Sequence, residues 1–94
     1  MDQLRYLAES YFHQDYDLDA DTPLDLIREF RESEPASDVA ELVADVQRLL
    51  RVSDEAGLRE TWINHFRASY EPDRDGMSYR EWFERVLEVL REPR

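Results

Sequence analysis

Apolar residues recur three and four positions apart in five segments of this chain, the spacing that places side chains on one face of an α-helix. No segment alternates apolar and polar residues over a sustained length, so we predict no β-strand. The two glycines and four prolines sit between the periodic segments, as expected for helices joined by short connections. The pattern predicts an all-α fold, a compact single-domain bundle of about five short helices over residues 1–94.

Two helices are predicted in the first third of the chain. The first runs from about Asp2, a candidate N-cap, to His13. The second has Thr22 as its N-cap and Pro23 at the first helical position, and it ends near Ser33. The apolar faces of these helices contain Leu4, Leu7, Ala8, Tyr11, Phe12, Leu24, Ile27 and Phe30, with Leu26 as a further candidate.

Three more helices are predicted in the rest of the chain. The third starts at Ser37 or Asp38, where Asp38 and Glu41 would form a capping-box pair, and we expect it at the centre of the core. The fourth begins after Ser53 and is ended by Pro72. Its apolar positions and those of the third helix are Val39, Leu42, Val43, Val46, Leu49, Leu50, Leu58, Trp62 and Phe66, with Ser69 as a further candidate.

The fifth helix is predicted from Ser78, where Glu81 would complete a capping box, to about Glu92. Its core positions are Trp82, Phe83, Val86, Leu87 and Leu90. Tyr16, Tyr70 and Tyr79 lie instead at loops or helix ends, where tyrosine is a good contact residue because it joins a large apolar body to one polar end.

Charge is concentrated in the first half of the chain. The formal net charge is −11, and residues 1–50 hold thirteen acidic residues and four arginines, a net −9. Residues 15–34 alone carry eight acidic residues and two arginines, a net −6. Such a field repels nucleic acid and anionic membranes and attracts basic partners. We therefore expect no direct binding to nucleic acid and no membrane association.

A contact surface for a basic partner is predicted in this acidic region. Asp17, Asp19 and Asp21 alternate along a segment outside any predicted helix, and an extended chain would place them on one side as a strip beside the acidic residues of the second helix. A solvated loop without a partner is the competing interpretation, about equally supported by the residues alone. The candidate contact residues are Tyr16, Asp17, Asp19, Asp21, Asp25, Glu29, Glu32 and Glu34.

The acidic loops do not match a calcium-binding pattern. Counted from Asp15, the sixth position is Ala20 and the twelfth is Leu26, where calcium loops use glycine and a bidentate glutamate. The loop from Glu71 has Gly76 in place but Trp82 in the closing position. We expect no metal site and no cofactor.

Catalytic patterns are also missing from the sequence. The chain has no cysteine, no glycine-rich phosphate loop and no nucleophile elbow, so we predict no catalytic residue and no enzyme activity. The two histidines, His13 and His65, lack metal-ligand spacing. We interpret His13 as a partly buried imidazole hydrogen-bonded to backbone or carboxylate, and His65 as a helix-surface residue.

The loop and its flanks carry a family resemblance. The run Tyr11-Phe12-His13-Gln14-Asp15, followed by Tyr16-Asp17, resembles the signature of immunity proteins from bacterial contact-dependent growth inhibition systems. In that family a Thr-led second helix follows, here Thr22-Pro23-Leu24-Asp25. A Gly-Met/Leu-Ser segment then precedes a Trp-bearing helix, here Gly76-Met77-Ser78 and Trp82. The resemblance covers nearly the whole chain in order and length.

The resemblance implies a function. It implies a small acidic protein that binds and neutralises the toxic C-terminal domain of a cognate effector. We expect the chain to be a monomer or weak homodimer. It also implies that Tyr11, Phe12, His13, Gln14 and Asp15 form a structural motif. If the toxin is a nuclease, its active site would be basic. The N-terminus has no basic start or apolar stretch of a secretory signal, so we expect a cytoplasmic protein.

Two alternatives belong to other functional classes. One is an acidic regulator that mimics nucleic acid and titrates a basic DNA- or RNA-binding protein. The other is a small structural or calcium-responsive module.

Overall fold

A computed structural model describes residues 1–93 of the chain. Its five α-helices are α1 (Asp2–Ser10), α2 (Pro23–Ser33), α3 (Ala36–Val52), α4 (Glu55–Arg59) and α5 (Tyr79–Leu90). A π-helical segment, Glu60–His65, continues α4, and the connections contain two short 3-10 turns, Tyr16–Leu18 and Pro72–Asp75. Residues 1–93 include no strand, so the predicted all-α class with five helices is confirmed.

Two predicted helix starts are confirmed by their caps. The Thr22 hydroxyl accepts from the Asp25 amide at 3.3 Å, and the Ser78 hydroxyl accepts from the Glu81 amide at 3.0 Å. Each bond satisfies one amide that has no partner within its own helix. The predicted return bond from the Glu81 carboxylate is not formed, because that carboxylate accepts from Arg85 instead.

The boundaries of α1 and α3 differ from the prediction. α1 has Met1, not Asp2, as its N-cap, and it ends at Ser10, not His13. The helix stops because the amides of both Tyr11 and Phe12 donate to the Leu7 carbonyl, at 2.9 and 3.2 Å.

For α3, the predicted capping box was wrong. The helix begins at Ala36, and no side chain caps its first turn. The Pro35 carbonyl accepts from the amides of Asp38 and Val39, so the first turn is already closed before Asp38 could act as a cap.

The fourth helix ends earlier than the predicted limit at Pro72. Its last turns widen, and the Phe66 amide donates to the Thr61 carbonyl at 2.9 Å, five residues back. Arg67 then adopts a left-handed conformation with φ 57°, which ends the helix. The chain folds back so that the Trp62 indole donates to the Tyr70 carbonyl at 2.9 Å.

The core lies between α5 and the helices around it. α5 packs against α2, α3 and α4, and it buries seven of its twelve residues, whereas α3 buries four of seventeen. α5, rather than α3 as expected, is therefore the central helix. The largest fully buried side chains are Trp62, Trp82, Phe12, Phe30, Phe83, Leu4, Leu7, Leu26, Ile27, Leu42, Leu58 and Val46.

Most predicted core positions are buried, with a few at the edge. Tyr11, Leu24, Val43 and Leu50 are half-buried against the core, and Ser69 is exposed. The radius of gyration of 12.1 Å is that of a closely packed chain of this length.

Carboxylates from distant positions cap two helices. The Asp45 carboxylate on α3 accepts from the amides of Gln3 and Leu4, both at 3.1 Å, at the start of α1. The Glu55 carboxylate on α4 accepts from the amides of Tyr79 and Arg80 at the start of α5. A negative charge at a helix N-terminus is favourable, so both contacts fix helix positions as well as satisfying amides.

Two arginines, one buried and one half-buried, donate hydrogen bonds at the C-terminal ends of α5 and α3. Arg31 is 6% exposed and donates to the Val89 carbonyl at 2.8 Å and to the Glu92 carboxylate at 3.2 Å, near the end of α5. Arg80 donates to the carbonyls of Leu50 and Ser53, at 3.2 and 2.9 Å, at the end of α3. Cations at helix C-termini complement the exposed carbonyls.

Candidate partner-binding surface

The acidic segment after α1 is a closed turn, not an extended strand. Three backbone bonds of 3.0–3.1 Å shape it, from Tyr16 to the His13 carbonyl, from Leu18 to Asp15 and from Asp19 to Tyr16. We call residues 13–19 the acidic turn. The predicted extended strip was therefore wrong: alternate residues do not share a side here, because a 3-10 turn brings residues three apart together.

His13 organises this turn through both ring nitrogens. Its Nδ1 accepts from the Asp15 amide at 3.1 Å, and its Nε2 lies 3.0 Å from an Asp19 carboxylate oxygen. Because Nδ1 accepts, the neutral ring carries its proton on Nε2 and donates it to Asp19. The half-buried, hydrogen-bonded histidine expected from the sequence is confirmed, and His65 is exposed as expected.

Half of the acidic residues between positions 15 and 34 have partners. Asp19 bonds His13, Asp25 pairs with Arg28 at 3.1 Å, Glu32 lies 3.6 Å from Arg31, and Glu34 accepts from the hydroxyls of Tyr6 and Tyr11. The side chains of the other four form no hydrogen bond or ion pair with any residue in 1–93. These are Asp15, Asp17, Asp21 and Glu29, and all four are exposed.

A groove of about 340 Å³ runs beside the acidic turn. Its lining includes Asp17 and Asp21, from the chain before α2, and Glu71 and Asp75, from the loop before α5. We call this feature the acidic groove. Glu71 and Asp75 were not predicted at this surface, because the pattern of their loop was compared only with that of a calcium site. The one arginine on the groove, Arg74, pairs with Glu71 at 3.2 Å.

The tyrosines at this surface are more buried than their loop positions indicated. Tyr16 is half-buried, with its ring centroid 6.0 Å from Phe12 and 5.8 Å from Tyr70. Tyr70 and Tyr79 are each only 3% exposed. Only Tyr16 of these three therefore offers a substantial contact surface.

The buried hydroxyls bind the second acidic loop. Tyr70 donates to Asp75 at 2.8 Å, and Tyr79 donates to Asp73 at 2.9 Å. Burial, reinforced by these carboxylates, raises the pKa of Tyr70 and raises that of Tyr79 to about 12. Both tyrosines are thus neutral donors that hold the loop Pro72–Asp75 against the core.

A second depression, of about 540 Å³, has a different character. It lies between α1 and the chain after α4, and its walls include Arg5, Arg67 and His65. The Arg5 guanidinium sits 5.4 Å from the centre of the Phe66 ring. The lining of this depression also includes Glu9, so it holds two arginines and one glutamate, unlike the acidic groove.

No three metal-ligating side chains converge anywhere in residues 1–93. In the same part of the chain, no helix is long and apolar enough to cross a membrane.

Comparison with known proteins identifies the family. The sequence model of the CdiI immunity protein family matches residues 1–90. The chain belongs to the CdiI immunity protein family. No curated protein matches this CdiI-family chain.

A solved structure shares the fold of this CdiI-family chain. A chain in the crystal structure of a CdiA-CT/CdiI complex from Y. kristensenii 33638 superposes with a TM-score of 0.88. The two are 21% identical, and the alignment covers 95% of this chain and 96% of that one. The resemblance found in the sequence is confirmed.

Proposed function

We propose that this chain binds the toxic C-terminal domain of a cognate contact-dependent growth inhibition effector in the cytoplasm and neutralises it stoichiometrically. The observation that carries the proposal is the family match over residues 1–90. The structural neighbour is a complex that contains CdiA-CT, which supports a toxin partner. In this proposal the chain acts by binding rather than by catalysis, and it does so as a monomer or weak homodimer. The family match does not favour the nucleic-acid-mimicking alternative.

The proposed toxin-binding surface consists of residues of the acidic turn, Asp21, and the acidic residues of α2 and of the position after it. Its residues are Tyr16, Asp17, Asp19, Asp21, Asp25, Glu29, Glu32 and Glu34. The net charge of −6 over residues 15–34 costs the free protein self-repulsion that a basic partner would relieve. Asp17 and Asp21 contribute most in this proposal, because their side chains have no partner within residues 1–93 and line the acidic groove together with Glu71 and Asp75.

The motif Tyr11–Asp15 has a supporting role in this proposal. Phe12 lies in the core, and Tyr11 and His13 hold neighbouring acidic side chains. If the toxin is a nuclease, its basic active site would meet carboxylates at the positions that phosphates normally occupy.

The direct test of neutralisation is co-expression. The toxin domain of the effector encoded immediately upstream should arrest growth alone, and co-production of this chain should restore it. The purified proteins should form a stoichiometric complex by calorimetry. Undiminished killing in the presence of folded chain would overturn the proposed function.

A matched pair of double variants tests the surface. Asp17→Asn with Asp21→Asn removes two charges from the acidic groove, whereas Glu84→Gln with Glu88→Gln removes two exposed charges from α5. Long-range charge acts mainly on encounter, so the groove variant should associate with the toxin more slowly, and its association rate should depend less on salt. The α5 variant should remain close to wild type. Equal association rates for the two variants would place the interface elsewhere.

A further inference from the structure

One large apolar side chain is held away from the core at the acidic turn. Leu18 is 80% exposed, the most of any large apolar residue in 1–93. A single exposed leucine is ordinary on a protein surface. Here the position matters, because Leu18 lies between Asp17 and Asp19, in the most acidic stretch of the chain.

The backbone that presents Leu18 is fixed before any partner arrives. Its amide donates to the Asp15 carbonyl at 3.0 Å, within the turn that His13 closes from both ring nitrogens. Tyr16 and Ala20, two residues away on either side, pack against the core. The turn therefore points Leu18 outward, and little conformational freedom is lost when a partner covers it.

We infer that Leu18 is the apolar anchor of the toxin interface, inserted into an apolar pocket with a basic rim on the toxin. The inference rests on the proposed function. The flanking carboxylates define the partner's chemistry, because a surface that buries Leu18 must also meet Asp17 and Asp19 at close range. Interfaces commonly combine such a desolvated apolar centre with a polar rim.

Two substitutions at Leu18 test whether the toxin buries this side chain or leaves it without a contact. Leu18→Ala removes the apolar contact and should raise the Kd for the purified toxin domain about tenfold to a hundredfold, mainly through faster dissociation. Leu18→Asp adds a negative charge. If Leu18 lies at the rim of the interface, the added charge should make this variant associate faster with a basic toxin. If Leu18 is a buried anchor, the charge should weaken binding more than Leu18→Ala does.

Val52→Ala is the matched control. Val52 is 69% exposed at the end of α3, so the change also removes an exposed apolar side chain, but outside the acidic surface. All three variants should melt within a few degrees of wild type, since exposed side chains contribute little to stability. The control should bind like wild type.

Several results would overturn the inference. It fails if Leu18→Ala binds like Val52→Ala, if Leu18→Asp tightens binding, or if Leu18→Ala lowers the melting temperature strongly, which would mean that Leu18 packs within the fold. If the wild-type chain does not bind the toxin, the proposed function is contradicted as well. If the wild-type chain binds the toxin and Leu18→Ala binds equally well, only the inference about Leu18 is contradicted.

Discussion

Replacing Phe12 with alanine should remove much of the stability of this protein. Phe12 is fully buried, and its ring meets those of Trp62 and Trp82 at centroid distances of 5.3 and 5.5 Å. Both pairs are edge-to-face, an arrangement that contributes beyond burial alone. The rings of Tyr16 and Tyr70 each lie 6.0 Å away, so four aromatic side chains would face the cavity.

The expected cost is about 3–5 kcal/mol for a fully buried phenylalanine. A domain of this size has roughly 5–14 kcal/mol of unfolding free energy in total. Each kcal/mol lowers the melting temperature by about 4–8 °C at this length, so the fall should exceed about 10 °C. The large indole rings cannot close the cavity by small shifts, which argues for the upper part of the range.

Thermal and urea unfolding followed by circular dichroism measure this loss. Phe12→Leu is the control, because it keeps most of the apolar volume and should cost much less than Phe12→Ala. Protection against the toxin should fail in the alanine variant through loss of folded protein. A fall of less than about 3 °C for Phe12→Ala would refute the reasoning, since it would mean that the aromatic cluster does not depend on this ring.

Two further predictions concern the helix cap and the tyrosines. Glu55→Gln removes the charge from the start of α5 and should cost about 1 kcal/mol in urea unfolding, whereas Glu84→Gln should cost close to nothing. The chain has no lysine or cysteine, so its five tyrosines dominate titration between about pH 9 and 12. Burial raises the folded-state pKa of Tyr11 and Tyr79 from 10.0 to about 12, and it raises the pKa of Tyr70 as well. The contribution of these tyrosines to the unfolding free energy is therefore fully present below pH 10 and falls as the pH rises toward 12. A flat unfolding free energy across that range would contradict these shifts.

Local chemistry explains the elements that the sequence predicted correctly. Thr22 followed by Pro23 favours a helix start because the hydroxyl supplies an acceptor and the proline has no amide to satisfy. Ser78 acts in the same way before α5. Apolar spacing likewise identified the five helices and most of the core, but not the buried Tyr70 and Tyr79. These signals act over one or two turns of chain, so they can be read without tertiary structure.

Long-range contacts explain what the sequence could not predict. Asp45 and Glu55 each cap a helix more than twenty residues away, and in the sequence they look like ordinary charges on helix surfaces. Arg67 ends the fourth helix in a left-handed conformation that arginine rarely adopts, so no terminating signal was visible. The groove was missed for the same reason, because it exists only where the chain around Asp17 meets the loop of Asp75.

These contacts also change what the net charge of −11 means for binding. Carboxylates that cap helices or accept from buried tyrosines, such as Asp45 and Asp75, stabilise the fold, so neutralising them would lower the amount of folded protein and obscure any change in binding. Such variants cannot locate an interface. The side chains of Asp17, Asp21 and Glu29 form no hydrogen bond or ion pair within residues 1–93, so their charge can be removed without breaking a contact of the fold. If the acidic surface steers the toxin, the change in association rate must follow these exposed groups and not the total charge removed.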